Sequence, residues 1–181
     1  MTWITAIFYF FIFRILLQYP YILLALVLAY FLRDRIPSPA EFFRRQKAFK
    51  RLQFQVGINP HDSTARRDLG LVLLDKKRPA DALGNFMEAL KKEPDSPELN
   101  HYVGLSLLRT GKAAEAVPYL EKAIKIEPRL KYGESYLYLG EALLELNRNA
   151  EALEALKTFL GINHTSIEGL YQYARALKAN G

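Results

Sequence analysis

A set of small and apolar residues that returns after about 34 positions constrains the fold of this chain most strongly. The central copy, residues 97–130, contains Val103, Gly104, Leu107, Ala116, Leu120, Ala123 and Pro128. A shift of 34 residues towards the N-terminus gives Leu69, Gly70, Leu73, Ala82, Phe86, Ala89 and Pro94. A shift of 36 towards the C-terminus gives Leu139, Gly140, Leu143, Ala152 and Leu156, which places a two-residue insertion at 129–132. Such a period predicts an array of short antiparallel helix pairs that bury a shared core.

The registered copies resemble the tetratricopeptide repeat, whose pattern has Gly or Ala at position eight, Ala at positions twenty and twenty-seven, and Pro at position thirty-two. The resemblance covers roughly residues 40 to 181. It implies an all-α fold in which repeats at 63–96, 97–130 and 133–166 stack into an α-solenoid. The third copy has Phe159 where the pattern has Ala and His164 where it has Pro. We therefore expect its second helix to pack differently against the C-terminal segment.

Small residues are expected to set the distance between the two helices of each repeat. The pairs Gly70 with Ala82, Gly104 with Ala116, and Gly140 with Ala152 would allow close approach. Gly111 lies between the helices of the second repeat, where a left-handed residue is needed to turn the chain.

Partial repeats are predicted at both ends of the array. Residues 37–62 combine a short, stiff joint containing Pro37 and Pro39 with a helix from Ala40 to Gly57 that matches the second half of a repeat. Residues 167–181 match only a first helix. They form either a cap on the third repeat or the start of a fourth repeat.

An apolar segment precedes the repeats, and we interpret residues 1–36 as a membrane anchor. Between Ile4 and Leu32 the only charged residue is Arg14. In the preferred layout a helix spans the bilayer from about residue 15 to 32, while Trp3 to Phe13 lie along the membrane or against a partner. The alternative is a hairpin bent near Tyr19 and Pro20.

Charge is concentrated beside this segment. Residues 1–60 carry eight basic and two acidic groups, whereas residues 61–181 carry seventeen of each. This asymmetry predicts repeats on the cytoplasmic side of the membrane and argues against a nucleic-acid partner. Membrane or lipid contact is predicted for Trp3, Phe8, Phe11, Arg14, Arg33, Arg35, Arg44 and Arg45. Attraction to anionic headgroups and a purely topological role remain alternatives for the basic residues.

The sequence contains no recognisable catalytic or metal-binding motif, and we expect neither an enzyme nor a cofactor. The chain has no Cys, and its three His residues are far apart. Its glycines follow the repeat rather than a phosphate-binding loop.

The family resemblance instead implies a concave groove lined by first helices, which would hold a peptide or a helix. The implied groove residues are Arg67, Asp68, Leu71, His101, Tyr102, Leu105, Arg109, Tyr138, Glu141, Tyr171 and Arg175. Asp75, Glu134, Glu145, Gln172 and Lys178 occupy further groove positions. The Lys, Arg and Asn residues with which chaperone-binding members hold a C-terminal carboxylate are not matched, because those positions hold Leu71, Tyr102, Glu134 and Tyr138.

These observations favour a membrane-anchored scaffold, either an accessory subunit or an assembly factor of a membrane protein complex. Its expected partners are a protein in the groove, membrane lipid and, at the apolar segment, another membrane protein. One alternative is an organellar import-type receptor that binds targeting peptides. Another is the regulatory N-terminal part of a larger enzyme.

Overall fold

The computed structural model describes residues 2–19, 21, 24, 27, 28, 30 and 39–181. The chain divides into two compact units, residues 1–47 and 48–181. The all-α architecture predicted for the repeats is confirmed, because residues 63–181 form α-helices joined by turns.

Helix α1 of the first unit spans Thr2–Gln18, and Tyr19 lies outside it. Large apolar side chains are exposed around α1, from Ile7 at 56% to Trp3 at 83%. Ile15, where the predicted span begins, lies inside α1, and the helix ends three residues later. The following proline restricts Tyr19 to extended conformations.

Much of the predicted 15–32 span lies outside the described residues, as do Arg33, Arg35 and Pro37. In the part of the chain that the structure describes, no helix has both the length and the apolar character needed to cross a bilayer.

Helix α2 spans Pro39–Ile58. Pro39 begins this helix and is not part of a separate joint, because proline is tolerated in the first turn, where its missing N–H would have no intrahelical partner. Further along α2, Phe49, Leu52 and Val56 are partly buried against the core of the repeats.

The remaining helices form pairs that follow the predicted period. They are α3 (Ser63–Asp75) and α4 (Pro79–Leu90), α5 (Pro97–Arg109) and α6 (Ala113–Ile126), α7 (Glu134–Glu145) and α8 (Asn149–Ile162), and the single helix α9 (Ile167–Asn180). Each helix packs against the next one from α3 to α9.

Side chains of Asp62, Ser96 and Ser166 cap α3, α5 and α9 by accepting a backbone N–H three residues later. These caps fix where three of the four first helices begin.

Three glycines allow the predicted close approach within each pair. A Cβ atom placed on Gly70 would lie 2.5 Å from the Phe86 ring, and one on Gly104 or Gly140 would lie 2.5 Å from Cγ of Leu120 or Leu156. The nearest atoms therefore belong to side chains four residues after the predicted alanines. Gly111 has a φ of +75°, which confirms the predicted left-handed turn.

The insertion before the third repeat forms a tight turn, Leu130–Gly133. Lys131, Tyr132 and Gly133 all have positive φ values. The Lys131 ammonium lies 5.0 Å from the centroid of the Tyr102 ring. The insertion thus brings a cation back onto the first helix of the preceding repeat.

Candidate polypeptide-binding site

A pocket of about 510 Å³ lies along the row of first helices. It is lined by Leu74, Lys77, Pro79, Leu105, Arg109 and Tyr138. This volume is within the range of roughly 300–1,000 Å³ that ligand pockets occupy. Leucine and proline side chains provide apolar surface, while two cations and a phenol can bind polar groups.

Three of the lining residues, Leu105, Arg109 and Tyr138, are among the groove residues implied by the sequence. Leu74 was missed, although it stands at position twelve of its repeat, which the family pattern also assigns to the groove. Lys77 lies in the turn between α3 and α4 with a φ of +56°. No sequence pattern indicated that Lys77 would line the pocket, since the repeat pattern specifies only a turn at that position.

Polar contacts hold one side of the pocket. Arg109 Nη1 donates a hydrogen bond of 2.7 Å to Glu141 Oε1, and its guanidinium lies 5.7 Å from the Tyr138 ring centroid. Burial raises the pKa of Tyr138 to about 12, so its phenol stays protonated at neutral pH. A half-buried, protonated phenol on the pocket wall can donate a hydrogen bond to a bound polypeptide.

His101 and Tyr102 lie below the groove surface and do not line it. His101 is completely buried, and its Nδ1 shares a hydrogen bond of 2.8 Å with Ser135 Oγ. Nε2 lies 3.8 Å from Glu134 Oε2 and has no hydrogen-bond partner. Burial lowers the pKa of His101 to about 4, with a smaller contribution from the Lys131 charge. Tyr102 stacks on Phe86 at 5.2 Å.

The other groove residues lie on the first helices but outside this pocket. Arg67 is 3.2 Å from Asp68 Oδ1 and 3.7 Å from Glu98 Oε2, so a local network neutralises its charge. Leu71 is half-buried against the core. On α9, Tyr171 is 59% exposed, and Arg175 donates a hydrogen bond to Gln172 Oε1. Binding roles for these residues stay predictions.

Membrane contact was predicted for another set of residues. Trp3, Phe8, Phe11 and Arg14 are exposed on α1, and Arg44 and Arg45 are exposed on α2. Arg33 and Arg35 lie outside the described residues. Among the described residues, no three metal-ligating side chains come together in a possible metal site.

Comparisons with known protein families agree with this geometry. One tetratricopeptide repeat model matches residues 46–97 and 67–130, and another such model matches residues 107–181. The chain therefore belongs to the tetratricopeptide repeat family.

Among individual proteins, the Tetratricopeptide repeat protein 21B of Xenopus laevis is 34% identical over 103 residues, which is 56% of this chain and 7% of that protein. The matched region also spans 29% or less of two further curated relatives. The chain thus corresponds to a small part of each.

Two solved structures share the fold at lower sequence identity. The crystal structure of MamA protein has a TM-score of 0.70 and 18% identity, covering 78% of this chain and 76% of that chain. The first tetratricopeptide domain of Spaghetti (RPAP3), bound to the HSP90 peptide SRMEEVD, has a TM-score of 0.60 and 17% identity over 65% of this chain and 91% of that one. The second structure contains a bound peptide.

Proposed function

We propose that this chain is a membrane-anchored, non-catalytic scaffold whose first helices hold a segment of another polypeptide. It would serve as an accessory subunit or assembly factor of a membrane protein complex, at the cytoplasmic face of the membrane. The pocket formed by Leu74, Leu105 and Tyr138 with Lys77 and Arg109 is the observation that carries this proposal. It lies on the helices that the family uses for binding.

The chemistry of the pocket favours an apolar side chain next to an acidic or neutral polar group. Leu74, Pro79 and Leu105 provide the apolar contacts. Lys77 is exposed and lines the same pocket as Arg109, whose charge is partly neutralised by Glu141. An acidic C-terminal tail held by a cluster of cations fits less well, because the positions that would carry those cations include Glu134 and Tyr138.

Attachment to a membrane is supported by the apolar N-terminal segment. Ile7, Phe8, Tyr9, Phe10 and Phe11 are consecutive, so they cover the whole circumference of α1, and each is exposed by more than half. A helix that is apolar on all sides is stable in lipid or inside a protein and is poorly solvated by water. The excess of positive charge in residues 1–60 favours the cytoplasmic orientation.

Copurification from native membranes tests the proposal. We expect the tagged full chain, extracted in mild detergent, to retain a stable protein partner. Leu105→Glu should lose that partner, because it places a carboxylate in the apolar part of the pocket. Ala114→Glu makes the same charge change at an exposed position on α6 and should retain it. Recovery of the monomer alone, or equal recovery with both variants, would contradict the proposal.

A further inference from the structure

The outer face of α2 has a composition that packing within the repeats does not explain. Phe54 and Ile58 are each 69% exposed. Lys50 and Arg51 are also exposed, whereas Phe49 and Leu52 contact the core. Two apolar side chains and two cations therefore face away from the protein interior.

These four residues form one strip on the helix surface. Lys50, Phe54 and Ile58 are spaced by four residues, and Arg51 precedes Phe54 by three. Residues three and four apart are neighbours on an α-helix, so the cations lie beside the apolar side chains. Next to them, Gly57 has open space where a side chain would be. Gly57 therefore adds no side chain that would hold the strip away from a flat surface such as a bilayer.

The repeat register shows that Phe54 is unusual. The equivalent positions on α4, α6 and α8 are Glu88, Lys122 and Thr158. All three are polar, so the fold itself does not require an apolar residue at this position. An exposed phenylalanine with adjacent cations is typical of helices that lie at the boundary between headgroups and acyl chains.

We infer that the strip formed by Lys50, Arg51, Phe54 and Ile58 docks on an anionic bilayer surface. Phe54 and Ile58 enter the headgroup boundary, and the two cations lie against anionic headgroups. Charge complementarity supports this occupant, because the whole excess charge of +6 lies in residues 1–60. The inference deepens the proposed function, since it rests on membrane attachment of the N-terminal segment and adds a second contact within the repeats.

Quenching of tryptophan fluorescence by brominated lipid can test each contact separately. The full chain is reconstituted into vesicles of brominated phosphatidylcholine, with or without about one-third phosphatidylglycerol. Native Trp3, the only tryptophan, reports on the N-terminal segment. The Trp3→Phe/Phe54→Trp variant reports on α2. The Trp3→Phe/Thr158→Trp variant is the matched control, because it places the indole at the equivalent exposed position of α8.

Quenching is expected for Phe54→Trp in anionic vesicles, with much less in phosphatidylcholine alone and little for Thr158→Trp in either. Adding Lys50→Glu and Arg51→Glu should reduce the Phe54→Trp signal to that of the Thr158→Trp control. Raising the salt concentration should weaken it as well, because salt screens exposed charges.

Other outcomes overturn the inference in distinguishable ways. If Trp3 is quenched and Phe54→Trp is not, α2 does not dock and the proposed membrane attachment stands. If neither is quenched, the proposed attachment fails and the inference fails with it. Equal quenching at Phe54→Trp and Thr158→Trp, or in neutral and anionic vesicles, excludes charge-directed docking. An emission shift of Phe54→Trp with single-stranded RNA but not with vesicles would assign the strip to nucleic acid.

Discussion

His101 occupies a register position that usually faces the groove, yet its side chain is part of the core. Its ring lies 5.2 Å from that of Tyr102 and 5.5 Å from that of Tyr138, measured between centroids. It also contacts Ser135 and lies near Glu134, and burial lowers its pKa, with a smaller contribution from the charge of Lys131. Both neighbouring tyrosines and the start of α7 therefore help to remove it from solvent.

The low pKa of His101 predicts a loss of stability in mild acid. The folded chain holds this histidine neutral down to about pH 4, whereas the unfolded chain binds a proton near pH 6.5. Between these values the unfolded state binds more protons, so the free energy of unfolding falls as the pH falls, by a total of roughly 3 kcal/mol. Above pH 6.5 this group has no effect.

The double variant His101→Phe/Ser135→Ala isolates this effect. It replaces both hydrogen-bond partners with apolar groups, so we expect stability close to that of the parent at pH 7. Urea unfolding of the full chain in detergent, followed by circular dichroism, should show the parent losing stability relative to the variant between pH 6.5 and 4. Parallel curves over that range would contradict the prediction.

The first-helix residues could be located from the sequence, but groove residues could not be told from buried ones. The burial of His101 depends on the bulk of Tyr102 and Tyr138 and on its contact with Ser135, and this burial lowers its pKa, with a smaller contribution from Lys131 in the insertion. Lys131 and Tyr132 adopt positive φ values that are uncommon for side chains of their size, so their conformation could not be predicted from residue type. Position twelve of the repeat is a groove position in the family pattern, so Leu74 could have been included in the predicted site.

At the level of elements, the contact between α8 and α9 combines a large side chain on α8 with a glycine on α9. The equivalent positions of the two preceding contacts hold Ala89 with Leu99 and Ala123 with Ser135, all of which are buried. At the last ones, Phe159 is buried and a Cβ atom on Gly169 would lie 2.3 Å from its ring. Glycine on α9 thus makes room for the phenylalanine that departs from the family pattern.

A double-mutant cycle tests this fit between Phe159 and Gly169. Gly169→Leu alone should destabilise the chain by about 1 to 3 kcal/mol through overpacking. Phe159→Ala alone should cost about 3 to 5 kcal/mol because it leaves a cavity. In the double variant the leucine can occupy the space that the phenylalanine leaves, so we expect this variant to be more stable than the sum of the two effects predicts.

Unfolding in urea provides the measurement for this cycle. Gly161→Leu is the control, since it lies in the same pair of helices and a Cβ atom placed there would have no neighbour within 4 Å. It should leave stability unchanged or raise it slightly, because leucine favours helix more than glycine does. Strict additivity of Gly169→Leu and Phe159→Ala would show that the two side chains do not compete for the same space.

The period of the sequence was sufficient to predict the helix pairs, because each copy repeats the same small and apolar positions. The different packing expected for Phe159 is present, but its partner Gly169 could not be inferred, since pairwise contacts between repeats are not encoded by the period. The start predicted for a membrane span near Ile15 does not coincide with a helix start, because hydropathy alone does not locate a helix end, whereas Pro20 restricts the preceding residue.

The whole molecule combines an apolar N-terminal segment, a basic helix α2 and a row of first helices that contains a pocket. Composition alone distinguished the N-terminal segment from the row of first helices. Residues 61–181 carry equal numbers of basic and acidic groups, whereas the first 60 residues carry the whole excess charge. The pocket could not be predicted as a unit, because Lys77 and Pro79 come from a turn and a second helix. Partner binding at this pocket is the claim on which the proposed role depends.

Site-specific photo-crosslinking in native membranes tests that claim most directly. The photoreactive residue p-benzoylphenylalanine replaces Leu105 in the pocket or, as the control, Ala114 on the exposed face of α6. We predict a discrete covalent adduct with one protein partner from the Leu105 position and none from the Ala114 position. No adduct at Leu105, or the same adducts at both positions, would contradict partner binding at this pocket.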